Sequence, residues 1–556
     1  MIGLFPTPSF LRDPDIITSE PGSSIAGREC GRALIEYSPE DITFFADEWE
    51  IEALSHNLKY YNYIWENTHP DICVVPISKI RESLNNSSYV ALHNLSGLAL
   101  DKLAYARSRF SSRIFPITCM EYGFSYSSFF PDLISHLLLA PTYPCDSVIC
   151  TSKIAKEALT RILTRLQEFL SENNGLHRQF NFQLHVIPHG VPTDIYCNRD
   201  RAETRRVLEI PANSIIILYV GRIDPSSKSD VFPLLIAFQK LFEKYGDKIW
   251  LLLVGPINDF YRNKLDSAVR DLGLTDKIQY RTNVPKISIP LYYSAADIFV
   301  SLSDTLQENF GLTPVEAMAS GLPVVVSDWA GYKETVIHEK TGFKIPTTWI
   351  ECDIDLRETS PFYDWASDHF YIGQSIAWDM DALIYYLDML ISNQKLRMMM
   401  GENALRHVLE NYTWKRSVGK MWELWRELYT IAQKLPPSPH GENGTFLQPN
   451  YFNDFRCFPS FIIDSNTPLA ITDQGRLVAT GKQPLLLCED PRKLLQPTLM
   501  IIILRYIRMI SCFKGYIRLS DIEILLAKKR HLSQSSSRQH LMWLLKYGFL
   551  RIPLNP

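Results

Sequence analysis

Between residues 211 and 345 the chain carries five short, unbroken apolar runs, SIIILYVG, IWLLLVG, IQYRT, IFVSLS and PVVVSD, and the segments between them have helical periodicity. A strand with one wet face alternates apolar and polar residues. An unbroken run therefore marks a strand covered on both faces, and helices between such strands are the crossovers of a parallel sheet. The segment 231–244, VFPLLIAFQKLFEK, has the apolar stripe of one such helix, and 288–295 predicts a short one ahead of the strand at 298. The reading is a doubly wound α/β domain, placed at 206–411. A fainter copy of the pattern runs through ITFFAD (42–47), ICVVPI (72–77), YVALHN (89–94), RIFPIT (113–118), SVICTS (147–152) and QLHVIPHG (183–190), which predicts a second α/β domain over 1–205.

A chain of 556 residues exceeds what one hydrophobic core supports. A helix-like closing segment spans 412–436, a Pro- and Gly-rich linker is predicted at 437–450, and a third unit follows at 451–556. With 46% hydrophobic and 21% charged residues the composition is globular, and a net charge of -4 gives no global case for nucleic acid or an anionic membrane. The first residues, MIGLFPTPSFLRDPD, lack the charged start and long apolar run of a secretory signal. The apolar run LMIIIL (499–504) is too short to span a bilayer, which takes about 18 residues or more. Ten scattered cysteines include no Cys-x-x-Cys pair, and the thirteen histidines show no ligand spacing with them. The expectation is a cytoplasmic chain with reduced thiols, no metal site and no transmembrane segment.

Ligands of an open parallel sheet bind beyond the carboxyl ends of its strands. After ILYVG comes RIDPSSKSD, which sets Arg222 and Lys228 just past Gly221, where a guanidinium and an ammonium can neutralise a diphosphate. After IFVSLS comes DTLQENFGLTPVEAMASG. Pro314 suits the first turn of a helix, so the amides of Asn309, Phe310, Gly311 and Leu312 precede a helix N-terminus, and Gly311 lets the backbone approach an anion. Glu316 is expected inside that first turn, able to accept hydrogen bonds from a ribose diol, and Glu308 before it, near whatever the phosphate carries. Taken alone, the two acids read as solvated carboxylates favoured by the helix dipole. Beside Arg222 and Lys228 at the same sheet edge, they read as a ligand site.

These residues resemble the retaining nucleotide-sugar glycosyltransferases of family 4, whose GT-B architecture is two Rossmann-like domains facing a cleft. The resemblance runs through VIPHGVPTDIY (186–196), YVGRIDPSSKSD (219–230), the segment 291–346 with its ENFGLTPVE, and YTWKRSVGKMWELWRELY (412–429). It implies that Arg222 and Lys228 hold the donor diphosphate and stabilise the leaving group. Glu308 would lie beside the transferred sugar, the amides of Asn309 to Leu312 would cap sugar or phosphate, and Glu316 would bind the ribose. Val284, in RTNVPK, falls where the family reads the base. The implied donor is a UDP-sugar or GDP-sugar, with no cofactor. Transfer would be front-face with retention, and Arg, Lys and a helix N-terminus would replace the divalent cation, since no Asp-x-Asp motif follows the five apolar runs.

The N-terminal half is less regular. Gly22 and Ser23, with Ser24, predict a small-residue turn before a helix, resembling the family's first Gly-rich loop at the donor phosphate. His93 ends a predicted strand facing the cleft, as a structural residue or a sugar-side ligand. Where many relatives carry a histidine near the transferred sugar this chain has Tyr122, with Glu121 beside it.

In the third unit, PLAITDQGRLVAT predicts a small hairpin. DIEILLAKKRHLSQSSSRQHLMWLLKYGFLRI reads as helix, Ser-rich turn, helix and short strand, a winged-helix-like order. Its bases after 500 (Arg505, Arg508, Lys514, Arg518, Lys528, Lys529, Arg530, Arg538, Lys546, Arg551) outnumber its acids, Asp521 and Glu523. A protein or peptide docking module is favoured over a DNA reader. The acceptor, whether glycan, small molecule or peptide, is not specified. The rival readings are a nucleotide-sugar-sensing DNA-binding regulator, a pseudo-glycosyltransferase acting through the third unit, and an epimerase or phosphorylase on the same fold.

Overall fold

The computed structural model describes residues 1–7, 10, 22–64, 71–127, 129–177, 179–282, 284–363, 367–436, 450–460, 462–486, 495–530 and 532–553. The chain forms two compact units, Met1–Asn443 and Gly444–Pro556. The predicted linker lies, apart from Asn450, outside the described residues.

The first unit holds two parallel sheets. One contains β1 (Ile2–Phe5), β2 (Ile42–Ala46), β3 (Ile72–Pro76), β4 (Ala91–Asn94), β5 (Ile117–Met120), β6 (Ser147–Cys150) and β7 (Gln183–Val186), in the order β3-β2-β1-β4-β5-β6-β7. The other contains β8 (Ile215–Val220), β9 (Ile249–Val254), β10 (Ile278–Arg281), β11 (Ile298–Ser301), β12 (Val324–Ser327) and β13 (Gly342–Ile345), in the order β10-β9-β8-β11-β12-β13. Each sheet has an apolar core on both faces, which is why its strands read as unbroken runs. The helix Trp414–Ala432 packs Val418, Met421, Trp425 and Leu428 into the core of the first sheet beside Ile2 and Leu4.

Two strands of these parallel sheets escaped the sequence reading. β1 is central, but Gly3 interrupts its apolar run, and a Cβ there would meet Leu92 Cδ2 at 2.3 Å. β13 is an edge strand of mixed polarity. β5 begins at Ile117, later than the predicted 113, because Pro116 has no N–H for the ladder.

The two halves share one buried device. Asp146, just ahead of β6, takes two bonds from Arg107 at 2.5 and 2.8 Å and accepts the Ile117 amide at 3.0 Å. Asp297, just ahead of β11, takes Arg205 at 2.6 Å and the Ile216 amide at 2.8 Å. Each carboxylate thus caps the start of a neighbouring strand and is neutralised by a buried guanidinium.

An antiparallel pair, β14 (Thr347–Trp349) and β15 (Ile376–Trp378), brackets an insertion carrying the helices Ile354–Thr359 and Ser367–Gly373. In the second unit β16 (Pro468–Ile471), β17 (Ile517–Arg518) and β18 (Leu550–Arg551) form an antiparallel sheet in the order β17-β16-β18. The predicted hairpin at 468–480 is instead β16 followed by the helix Asp473–Ala479. Thr472 decides this: its hydroxyl accepts the Gly475 amide at 3.1 Å, an N-cap that the turn-like Asp-Gln-Gly conceals. The run 499–504 lies in the helix Pro497–Lys514, whose Met500, Ile503 and Leu504 fill the core with Leu541 and Leu544. Among the described residues no helix is long and apolar enough to cross a membrane. Two of the unit's bases are engaged internally, Arg538 with Glu523 at 2.5 Å and Arg505 with the Ala479 carbonyl at 3.1 Å.

Candidate active site

The strand order of the second sheet reverses between β8 and β11, where the crossovers leave in opposite directions and open a crevice. Gly221 and Arg222 follow β8 directly, and residues 302–311 follow β11. The first sheet reverses between β1 and β4, and residues 95–99 and 121–124 leave β4 and β5 at the facing edge. Between the two edges lies a cleft of about 710 Å³.

The helix Leu312–Ala319 opens into this cleft. Gly311 is its N-cap at φ 93°, in the left-handed region, and a Cβ there would meet the Tyr332 ring at 2.5 Å. Gly311→Ala should therefore destabilise the chain by about 1–3 kcal/mol, read as a lower urea midpoint, since both φ and space exclude a side chain. The amides of Leu312 and Thr313 belong to the helix's first turn and lack intrahelical acceptors. The Thr313 hydroxyl has no hydrogen-bond partner among the described residues.

Most of the residues singled out in the sequence line this cleft: Tyr122, Gly221, Arg222, Lys228, Val284, Glu308, Asn309, Phe310, Gly311, Leu312 and Glu316. Both acids are engaged by neighbouring side chains. Glu308 is 6% exposed, forms an ion pair with Lys228 Nζ, and accepts the Tyr332 hydroxyl at 3.3 Å. Glu316 lies in the second turn of the helix rather than the first, accepts the Tyr293 hydroxyl at 2.9 Å, and has its pKa raised by burial. Arg222 donates to Ser227 Oγ at 2.8 Å, and Ser227 donates to Asp224 at 2.6 Å, so a hydrogen-bonded chain orients the guanidinium.

Three residues are placed differently from the sequence reading. His93 is fully buried on β4, with Nδ1 2.8 Å from Thr118 Oγ1 and its ring against Trp425. It does not face the cleft, because the helix Trp414–Ala432 covers that side of the strand, and burial lowers its pKa to about 3. Gly22 and Ser23 form no turn ahead of a helix; they begin the helix Gly22–Tyr37, whose Ile25 and Ala26 line the cleft.

Glu121 was noted in the sequence without a role. It follows β5, is fully buried, accepts Asn309 Nδ2 at 2.5 Å and Thr151 Oγ1 at 3.5 Å, and burial pushes its pKa up to about 7. Ser152 Oγ donates to the Asn309 carbonyl at 2.7 Å, so the loop ahead of the helix at 312 is held from the opposite domain. Glu334 likewise accepts the Lys153 and Ile154 amides at 3.1 and 2.8 Å. His189, from PHG, lies between the Tyr122 ring at 5.5 Å and the Phe310 ring at 5.4 Å, also on the cleft. The strand-end rule applied to β5 would have found Glu121; no local signal marks its bond to a residue 188 positions away.

Residues 200–351 match the family model described as Glycosyl transferases group 1. The chain is similar to a D-inositol 3-phosphate glycosyltransferase of Corynebacterium urealyticum, 26% identical over 299 residues, covering 52% of this chain and 62% of the relative. It spans less than two thirds of that relative's length. Its fold is that of sucrose-phosphate synthase from Thermosynechococcus elongatus (TM-score 0.51, 20% identity, 77% of this chain and 99% of that one). It is likewise that of Anabaena HepE in complex with UDP and glucose (TM-score 0.50, 16% identity, 76% and 98%). The two parallel-sheet α/β domains are thus those typical of GT-B glycosyltransferases.

Proposed function

We propose that this chain is a retaining glycosyltransferase of the family 4 type, moving a hexose-type sugar from a UDP- or GDP-sugar to a hydroxyl acceptor. The observation that carries the reading is the gathering in one cleft of Arg222, Lys228, the open amides at Leu312 and Thr313, and the carboxylates Glu308 and Glu316. Two cations and a helix N-terminus suit a diphosphate and take the part a divalent metal plays elsewhere. Glu316 receives the ribose hydroxyls. Glu308 faces the sugar once the diphosphate shares Lys228.

In this mechanism the bond from the anomeric carbon to the diphosphate oxygen breaks as the acceptor oxygen bonds to that carbon from the same face. The acceptor's proton passes to the departing diphosphate. Arg222 and Lys228 stabilise the charge gathering on the leaving group, which is electrostatic preorganisation. Glu121 holds Asn309, and so the loop that meets the sugar, in place.

The reading extends to a cytoplasmic chain divided at 205/206 and 411/412, and to a winged-helix-like docking module at 451–556, supported by the sheet β17-β16-β18 and the helices Leu519–Arg530 and Gln534–Lys546.

The test is a thermal-shift series with UDP, GDP, ADP and their sugar conjugates, in which a ligand at 100 times its Kd adds about 2.7 kcal/mol. One base should give a selective shift, and Glu316→Gln should weaken that ligand by about tenfold or more, as hydrogen bonds to a charged group are worth about 1.5–3 kcal/mol. No shift with any nucleotide would sink the proposal.

A further inference from the structure

His136 lies in a π-helical turn, Ile134–Leu138, an uncommon backbone geometry that recurs at functional sites. It lines the cleft on the side of the first sheet, and its Nδ1 is 2.9 Å from Asp101 Oδ2. Asp101 is 1% exposed, its carboxylate oxygens have no hydrogen-bond partner among the described residues, and His136 lies beside them as a charge pair. A carboxylate so far from water is costly without a compensating charge, so Asp101 keeps the imidazole against it through Nδ1. That leaves Nε2 for a ligand. The Asp101 contact raises the His136 pKa, and Asp132, which also lines the cleft, adds to the effect.

The surface beside this pair is aromatic. Phe124, Tyr126 and Phe129 line the same side of the cleft, and Phe129 is 38% exposed. The donor-side residues Arg222, Lys228, Glu308 and Glu316 all come from the second sheet, so this wall is left for the other substrate.

We propose that it is the acceptor subsite: His136 Nε2 hydrogen-bonds an acceptor hydroxyl, Asp101 positions the ring, and the aromatic wall takes an apolar body carried beside that hydroxyl. The acceptor class is a hydroxylated compound with an aryl or alkyl group. This rests on the transferase reading above.

The experiment uses the full chain and the nucleotide-sugar selected by thermal shift, measuring its hydrolysis and its transfer to p-nitrophenyl β-D-glucopyranoside, methyl β-D-glucopyranoside and glucose 6-phosphate. The aryl glucoside should have a KM about tenfold below that of the methyl glucoside, since burying an aromatic ring is worth more than the roughly 1.4 kcal/mol that tenfold requires. His136→Ala should raise the aryl glucoside KM by about tenfold or more with donor hydrolysis and the nucleotide shift unchanged, and His136→Gln should restore part of the loss. The unchanged nucleotide shift shows that each variant is folded, and Asp101→Asn, which keeps the shape, should raise the same KM. Equal KM values for the two glucosides, a preference for the phosphorylated sugar, or an acceptor KM indifferent to His136 would overturn the subsite. Hydrolysis without transfer to any probe would overturn the acceptor class alone. Absence of both nucleotide binding and hydrolysis would overturn the transferase reading, and the subsite with it.

Discussion

The double substitution Arg222→Ala, Lys228→Ala should reduce sugar transfer by about a thousandfold or more, the scale on which removing preorganised donors from a developing anion acts. Lys286 also lines the cleft but lies toward Glu316, and the helix N-terminus at Leu312 supplies only partial charge. The single variants should differ in character. Lys228→Ala leaves Glu308, 6% exposed, without its cation, so it should lower stability as well as activity. Arg222→Ala frees only the Ser227 hydroxyl from a 2.8 Å bond and should be nearly neutral for folding. Nucleotide-sugar hydrolysis and transfer, measured beside urea unfolding, separate the two effects. Full activity of the double variant would refute the site.

Asp146→Ala should cost about 3–5 kcal/mol of stability, the penalty for leaving a buried charge unpaired. The carboxylate and Arg107 are essentially inaccessible, and the same two oxygens satisfy the Ile117 and Tyr143 amides at 3.0 and 2.6 Å. Removing Asp146 strands a guanidinium and two amides at once. Arg107→Met, which fills the volume without a charge, should cost less only when combined with Asp146→Leu. A double-mutant cycle in urea measures this, and additivity of the two single changes would show that the pair is not coupled. The same logic applies to Arg205 and Asp297 in the other half, where Arg201 also reaches Asp297, at 3.0 Å.

Much of the fold was legible because burial on both faces of a parallel sheet writes itself into contiguous residues. IIILYV, IWLLLV and VVVS are strands in the structure at the positions their apolar runs mark. The cleft lining was legible for a related reason: Arg222, Lys228 and the NFGLT turn lie in the segments that follow strand ends, so sequence proximity places them at the sheet edge. β1 was not, because Gly3 supplies space rather than apolar surface, being needed for the close approach of Leu92. The hairpin reading of 468–480 failed where an N-cap at Thr472 outweighed the turn propensity of the residues after it.

What the sequence determined by itself, then, is local: strand identity, crossover helices, and the proposed donor residues in the segments that follow strand ends, all set by short-range periodicity and turn chemistry. What only the tertiary structure decided is whatever depends on two distant segments meeting. His93 became a core residue because a helix more than 300 positions later packs Trp425 against it. Glu121 became the partner of Asn309, and Asp101 the partner of His136, because two sheet edges and a π-helical turn bring them within hydrogen-bonding distance. Such contacts gain their energy from the exclusion of water around both partners at once, and no window along the chain contains both.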